Sequence, residues 1–215
     1  MGCFGLRGKL IALEGTDAVG KFTQANLLTD KLAAAGKKVL YLDFPTYDKT
    51  PYGQIVKDYL EGKHGKKEET SAYVASMLFA TDRMQFRDRI INALKVGTYL
   101  VCDRYKASNA YQIAKEPEAK WREFFDWLQR LESPLPDADA TVWLDVPPET
   151  FNSRRKKDHY ETDVHYQNRT RKVYQWMSDF LPIIKIEGLK KDGTHKPKDE
   201  VANEIWKELQ RRGMV

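Results

Sequence analysis

A glycine-rich segment near the start of the sequence has the residue types and spacing of a phosphate-binding loop. It reads Gly15-Thr-Asp-Ala-Val-Gly-Lys21, with an apolar run before it and a helical pattern from Phe22 onward. The two glycines allow a tight turn that directs backbone N–H groups at a di- or triphosphate, and Lys21 adds a mobile positive charge. A purely structural turn can share this pattern, but the order of strand, turn and helix favours nucleotide binding.

Two positions in this loop are unusual. The residue after Lys21 is normally a serine or threonine whose hydroxyl binds Mg²⁺, whereas this chain has Phe22, with Thr23 one position later. Asp17 lies inside the loop, where bound phosphates would repel its carboxylate unless a metal ion or a hydroxyl group of a second substrate compensates. The alternative for Asp17 is an ordinary aspartate in a surface turn.

Two further pairs of residues suit a planar ligand that carries a phosphate. Asp103-Arg104 follows an apolar run, so Arg104 could bind a phosphate bidentately while Asp103 orients it or positions a metal ion. An ion pair at a strand end is the simpler alternative. Phe79 and Arg83 are four residues apart on a helical pattern and share one face, which suits a base and the hydrogen bonds at its edge. Taken alone, Phe79 is more often a core residue.

A basic run at 154–157 is followed by two acidic residues, Asp158 and Glu161. The phosphate-binding loop has no basic residue between Asp17 and Gly20, so positive charge for a phosphoryl-transfer transition state must come from elsewhere. This run is the obvious source if it forms a mobile lid. A solvated charged surface is the alternative.

The composition fits one domain covering residues 1–215. The chain has 215 residues, 41% of them hydrophobic, and a formal net charge of +5. No apolar run approaches the roughly 18 residues needed to cross a membrane, and no secretory signal is present, so we expect a cytoplasmic protein. The positive charge is concentrated in short stretches and does not by itself indicate nucleic acid. The cysteines and histidines show no metal-ligand spacing.

Five apolar runs predict buried strands, and helical patterns alternate with them. The predicted strands are 9–14, 38–44, 98–102, 140–146 and 183–187, and the predicted helices lie near 21–35, 51–61, 71–95, 105–131, 148–156, 162–179 and 198–212. Such alternation predicts an α/β fold with a parallel sheet covered on both faces. Ligands of these sheets bind beyond the carboxyl ends of the strands, which is where the unusual polar residues fall.

Six segments in order along the chain together resemble the thymidylate kinases, a family of P-loop nucleoside monophosphate kinases. The segments are EGTDAVGKFTQ (14–24), DFPTY (43–47), LFATDR (78–83), DRYKASN (103–109), LDVPPE (144–149) and DHYE (158–161). The resemblance implies a three-layer P-loop kinase fold, with a five-stranded parallel sheet, helices on both faces and a mobile lid at about 153–162. It also implies Mg²⁺-dependent phosphoryl transfer from ATP to dTMP. A homodimer with the helix near 71–95 in its interface is expected, with no nucleic-acid or membrane partner.

The same resemblance implies roles for individual residues. Those that would bind ATP are Gly15, Thr16, Ala18, Val19, Gly20, Lys21, Phe22, Thr23 and Arg154, the last of them over the adenine. Those that would bind dTMP are Asp17, Phe44, Pro45, Tyr47, Phe79, Arg83, Arg104, Ser108, Asn109, Tyr111, Gln112 and Tyr160. The implied metal ligands are Asp17, Asp103 and Glu161, and the implied catalytic groups are Lys21, Asp17, Arg104 and the lid cations Arg155 and Lys156.

Other functions stay open at this level. The acceptor could be another (deoxy)pyrimidine monophosphate or a deoxynucleoside, and Phe22 leaves room for a catalytically weak protein that binds nucleotides or nucleic acid. The segment after Asn109 is one residue shorter than in many relatives, so either Tyr111 or Gln112 would contact the 2′ position of the sugar.

Overall fold

A five-stranded, all-parallel sheet organises the computed structural model, which describes residues 8–65, 69–150 and 163–215. The strands are β1 (Leu10–Glu14), β2 (Val39–Asp43), β3 (Tyr99–Asp103), β4 (Ala140–Asp145) and β5 (Ile183–Glu187). They lie in the order β2-β3-β1-β4-β5. This confirms the predicted fold class, and each predicted strand begins and ends within one residue of the observed one.

Helices cover both faces of the sheet. They are α1 (Lys21–Ala34), α2 (Pro51–Leu60), α3 (Ala72–Met84), α4 (Arg87–Lys95), α5 (Ala110–Ile113), α6 (Trp121–Leu131), α7 (Val164–Ser178) and α8 (Lys198–Arg211). In the described part of the chain, none of these helices is long and apolar enough to cross a membrane.

The central strand β1 is buried on both faces, as its apolar sequence predicts. Ile11 and Leu13 join a core cluster with α1 and α8 on one side of the sheet. On the other side, Leu10 and Ala12 join a cluster with α4. The strand register brings the carboxyl ends of β1, β2 and β3 together, since Asp103 pairs with both Leu13 and Asp43.

Two helices predicted as continuous are divided in the structure. Between α3 and α4, the side-chain amide of Gln85 donates to the Asp82 carbonyl at 2.9 Å, and the Phe86 N–H turns to the Arg83 carbonyl instead. The predicted helix over 105–131 is broken before α6 by Pro117, which has no N–H to donate and adopts an extended ψ of 144°. In the predicted helix 148–156, the described part is a short 3-10 turn at Pro148–Thr150.

Candidate active site

The phosphate-binding loop connects β1 to α1 and depends on backbone conformations that favour glycine. Gly15 has φ 140°, and a Cβ atom there would lie 2.7 Å from the Leu144 carbonyl oxygen. Gly20 has φ 91° and precedes Lys21, the first residue of α1. Ala18 also adopts a left-handed conformation, with φ 64°. The loop therefore reverses the chain tightly at the N-terminus of α1, where an anion is favoured.

Lys21 lies over this loop rather than extending into solvent. Its side chain is buried, and Nζ donates to the Thr16 carbonyl oxygen at 2.5 Å. Burial and the nearby Arg104 guanidinium lower the pKa of Lys21 to about 8, although Asp17 and Asp103 oppose them. A bound phosphate would place negative charge next to this ammonium group and so favour its charged form.

Asp17 and Arg104 form an ion pair beside the loop. Arg104 Nη2 donates to Asp17 Oδ1, and Gln167 Nε2 donates to Asp17 Oδ2 at 2.7 Å. Burial opposes ionisation of Asp17, but Arg104 and Lys21 outweigh it and hold the pKa of that carboxyl below its usual value. Arg104 adopts φ 67°, and its guanidinium lies 5.2 Å from the ring centroid of Tyr111.

The left-handed turn at Arg104 is held by Glu14, the last residue of β1. Glu14 is fully buried, and its Oε1 accepts the N–H groups of Tyr105 at 2.8 Å and Ser108 at 3.1 Å. Its Oε2 accepts the hydroxyls of Ser108 at 2.6 Å and Tyr174 at 3.1 Å. Burial raises the pKa of Glu14 in spite of these bonds. One carboxylate thus fixes the segment after β3 relative to the phosphate-binding loop.

A second buried network lies at the end of α3. Arg83 Nε donates to Glu132 Oε1 at 2.6 Å, and Arg83 Nη2 donates to Asn109 Oδ1 at 3.1 Å. Asn109 Nδ2 donates to Glu132 Oε2 at 2.5 Å. One turn before Arg83 on the same helix, Phe79 is partly exposed, with its ring edge-to-face against Tyr59. The sequence predicted a shared face for Phe79 and Arg83, and both line the same cavity.

The segment after β2 forms another wall of that cavity. It contains a cis peptide bond between Phe44 and Pro45. Asp82 on α3 holds the next residue, because its carboxylate accepts both the N–H of Thr46, at 2.9 Å, and the Thr46 hydroxyl, at 2.5 Å. Tyr47 follows in a 3-10 turn with φ 33°.

These groups surround an open cavity. Its lining comes from six separate parts of the chain: Asp17, Phe44, Pro45, Tyr47, Leu60, Phe79, Asp82, Arg83, Arg104, Ser108, Asn109, Tyr111, Gln112 and Tyr166. Every residue that the resemblance implied for dTMP is in this lining, except Tyr160, which lies outside the described residues. Tyr111 and Gln112 both line it, and the Gln112 side-chain oxygen is buried without a hydrogen-bond partner in the described structure.

The residues implied as metal ligands differ in whether their carboxylate oxygens already accept hydrogen bonds. Both carboxylate oxygens of Asp17 accept hydrogen bonds. The Asp103 carboxylate lies near Lys21 at the end of β3, accepts no hydrogen bond from another described residue, and has a pKa raised by burial. Phe22 is 65% exposed, and Thr23 is exposed as well. Among the residues described here, no three acidic, histidine or cysteine side chains form a metal-binding group.

The lid residues Arg154, Arg155, Lys156, Tyr160 and Glu161 lie outside the described residues. Several residues that organise the site were not identified from the sequence, namely Glu14, Asp82, Glu132 and Gln167. The sequence does mark Glu14 as unusual, because it is an acidic residue in an apolar strand directly before Gly15. The other three lie in polar stretches of helices, or just after one, where nothing in the local sequence separates them from solvated side chains.

Comparison with known proteins finds relatives that match most of this chain. A family model for thymidylate kinase matches residues 13–205. The thymidylate kinase of Mycobacterium tuberculosis is 35% identical over 179 residues, which cover 77% of this chain and 83% of the relative. That of Dictyostelium discoideum is 31% identical over 205 residues, covering 93% and 83%.

A solved structure of thymidylate kinase from Candida albicans has a similar fold. The TM-score is 0.76 at 24% sequence identity, and the alignment covers 97% of this chain and 93% of the other. The sequence matches, together with the phosphate-binding loop and the cavity beside it, lead to one conclusion. The chain belongs to the thymidylate kinase family.

Proposed function

We propose that the protein transfers the terminal phosphoryl group of ATP to dTMP, giving dTDP and ADP. The observation that carries the proposal is the lining of the cavity beside the phosphate-binding loop. It combines the ion pair of Arg104 with Asp17 and a set of three side chains that suits a planar base, namely Phe79, Arg83 and Asn109. A nucleoside monophosphate has the matching parts, namely a phosphate, a sugar hydroxyl and a planar base.

In the proposed complex, Arg104 binds the acceptor phosphate. A guanidinium can bind two phosphate oxygens at once, and the Tyr111 ring beneath Arg104 restricts its orientation. Asp17 accepts the 3′-hydroxyl of the sugar. A hydroxyl partner accounts for a carboxylate inside a phosphate-binding loop, where Arg104 and Lys21 keep it ionised.

Phe79 stacks on the base, and Arg83 and Asn109 contact its edge. The lining is completed by Phe44, Pro45 and Tyr47 from the segment after β2 and by Ser108, Tyr111 and Gln112 from the segment after β3. The unpartnered side-chain oxygen of Gln112 offers an acceptor to the bound nucleotide.

ATP binds with its phosphates at the N-terminus of α1, held by the amides of the loop 15–23 and by Lys21. Arg154 lies over the adenine, and Arg155 and Lys156 bring positive charge to the transferring group when the lid closes. Tyr160 reaches the sugar from the same segment. These four assignments depend on the resemblance alone, because residues 151–162 are outside the described part of the chain.

Phosphoryl transfer needs positioning and neutralisation of charge rather than a covalent intermediate. The dTMP phosphate oxygen must approach in line, which Arg104 and Asp17 would arrange. Lys21 stabilises charge on the transferring oxygens, and lid closure excludes water so that ATP is not hydrolysed.

Mg²⁺ is part of the proposal, and Asp103 fits it best among the described residues. This ion usually keeps several waters and binds one or two carboxylates together with substrate phosphates. Asp103 has free carboxylate oxygens beside Lys21, whereas both oxygens of Asp17 are already bonded. The third implied ligand, Glu161, is outside the described residues. When bound, Mg²⁺ would neutralise charge on the ATP phosphates.

We further propose a homodimer in the cytoplasm, where ATP and nucleoside monophosphates occur. Helices α2 and α3 are neighbours and carry exposed apolar side chains. Tyr52 and Ile55 on α2 are 44% and 41% exposed, and Val74 and Met77 on α3 are 45% and 43% exposed. A second copy of the chain would remove such a surface from water.

The test is ADP production from ATP and Mg²⁺ with dTMP, dUMP, dCMP or thymidine as acceptor. Turnover that requires dTMP supports the proposal, and Arg104→Ala should then lower kcat/KM for dTMP by at least about tenfold. Turnover with another pyrimidine monophosphate but not with dTMP would change the assigned acceptor, while phosphoryl transfer from ATP to a nucleoside monophosphate would remain the reaction. ATP binding without any acceptor-dependent turnover would refute the kinase assignment.

A further inference from the structure

The carboxylate of Glu132 holds the two side chains proposed to contact the base. Glu132 directly follows α6, and it is 1% exposed. It accepts from Arg83 Nε with one oxygen and from Asn109 Nδ2 with the other. Since Arg83 also donates to Asn109 Oδ1, the three side chains form a closed triangle of hydrogen bonds.

This triangle fixes the orientation of the Asn109 amide. An ionised carboxylate only accepts hydrogen bonds, so the amide must turn its NH₂ group to Glu132. A guanidinium only donates, so the amide must turn its oxygen to Arg83. Reversing the amide would place its oxygen against the Glu132 carboxylate and its NH₂ group against the Arg83 guanidinium. Both contacts would then be unfavourable.

The fixed orientation decides what the cavity wall offers to a ligand. Arg83 and Asn109 both line the cavity and Glu132 does not, whereas Asn109 and Glu132 together line a neighbouring groove. The NH₂ group of Asn109 is turned toward Glu132, which does not line the cavity, and the amide oxygen lies beside Arg83, which does. That oxygen keeps one free lone pair, and Arg83 keeps its Nη1 hydrogens, which have no partner within the described structure.

We propose that Glu132 is a positioning residue that sets the base preference of the acceptor site. This inference rests on the proposed function. An acceptor beside a donor matches thymine and uracil, whose N3–H donates and whose O4 accepts. Cytosine has the opposite pattern, with an accepting N3 and a donating N4 amino group. Its N3 would therefore face the Asn109 oxygen, acceptor against acceptor, and its amino group would face Arg83, donor against donor. A buried polar mismatch of this kind discriminates far more strongly than a missing methyl group.

The test variant is Glu132→Gln, which keeps the shape but removes one acceptor. The glutamine oxygen cannot serve both Arg83 and Asn109, so the Asn109 amide is no longer held in one orientation. The dissociation constants of dTMP, dUMP and dCMP are measured by calorimetry for this variant and for the wild type. We expect the preference for dTMP over dCMP to fall at least tenfold, with the preference for dTMP over dUMP changing less than twofold.

A matched control is Asp145→Asn. Asp145 is a buried carboxylate that is bonded by Arg171 and Lys185 and is not part of the cavity lining. Its replacement removes a comparable charge, and both base preferences should stay at the wild-type values. An unchanged preference for dTMP over dCMP in folded Glu132→Gln would overturn the proposal, as would an equal loss in Asp145→Asn.

The wild-type protein gives a second measurement if Glu132→Gln does not fold. The monophosphate of 3-methylthymidine has no N3–H, and we expect it to bind at least tenfold more weakly than dTMP. Equal binding would overturn the assigned amide orientation. Failure of the proposed function is separately visible, because a wild-type protein that binds dTMP without phosphorylating it would leave these binding ratios measurable.

Discussion

Replacing Glu14 tests whether one buried carboxylate holds the acceptor side of the site in place. Glu14→Ala would leave the N–H groups of Tyr105 and Ser108 without an acceptor. A buried donor without a partner costs about 1–3 kcal/mol, so the two amides predict a loss of about 2–6 kcal/mol in the free energy of unfolding. For a chain of this size, that corresponds to a fall in Tm of at least about 4 °C.

Glu14→Gln separates the hydrogen bonds from the charge. The glutamine oxygen can accept both amides, and its NH₂ group can donate to the hydroxyl oxygens of Ser108 and Tyr174. Burial raises the pKa of Glu14, which means that the ionised carboxylate is less favourable in the folded protein than in water. Glutamine avoids that cost, so we expect the free energy of unfolding to change by less than about 1 kcal/mol.

The assay combines denaturant unfolding with kcat/KM for dTMP and for ATP. Glu14 holds the segment that contains Arg104, so Glu14→Ala should lower kcat/KM for dTMP at least about tenfold, and by more than it lowers kcat/KM for ATP. Wild-type stability in Glu14→Ala would refute the account of the two amides. Equal losses of stability in the alanine and glutamine variants would show that the charge, and not the hydrogen bonds, is what matters.

Three further predictions concern the phosphate-binding loop and the exposed apolar surface. Because burial and Arg104 lower the pKa of Lys21 to about 8, its positive charge is lost as the pH rises through that value, and kcat/KM for ATP should fall there. Lys21→Arg keeps its charge, so the same pH profile should lose this decline; a decline that persists would mean that another group causes it. Phe22→Ser restores a hydroxyl at the usual position and should lower the Mg²⁺ concentration that gives half-maximal turnover, with a stability change below about 0.5 kcal/mol because Phe22 is 65% exposed. An unchanged Mg²⁺ titration would show that the metal does not use this position. Met77→Glu should convert the proposed dimer to monomers in light scattering, whereas Val96→Glu, at a 70% exposed valine directly after α4, should leave it dimeric; dissociation by both would point to a general effect of added charge.

Local patterns in the sequence were sufficient for the sheet and for the phosphate-binding loop. A strand buried on both faces must be apolar along its length, and the loop needs glycine at positions with positive φ, so both leave marks that can be read within about ten residues. The breaks in the helices were harder to predict. At the one between α3 and α4, the Gln85 side-chain amide donates to the Asp82 carbonyl, which competes with the helical bond of Phe86.

In the cavity, the residues that carry chemistry belong to local sequence patterns, whereas the residues that support them do not. The phosphate-binding loop, the Phe79–Arg83 face and the segment from Asp103 each carry their own chemistry, and the sequence pointed to all three. Their supporting partners are far away along the chain. Glu132 is 49 residues from Arg83, and Gln167 is 150 residues from Asp17. Whether such polar side chains are solvated or buried against a partner depends on the packing of whole helices onto the sheet, which no local pattern records. The residue types that perform the chemistry were therefore fixed locally, whereas their orientation and ionisation were decided by the folded core around them.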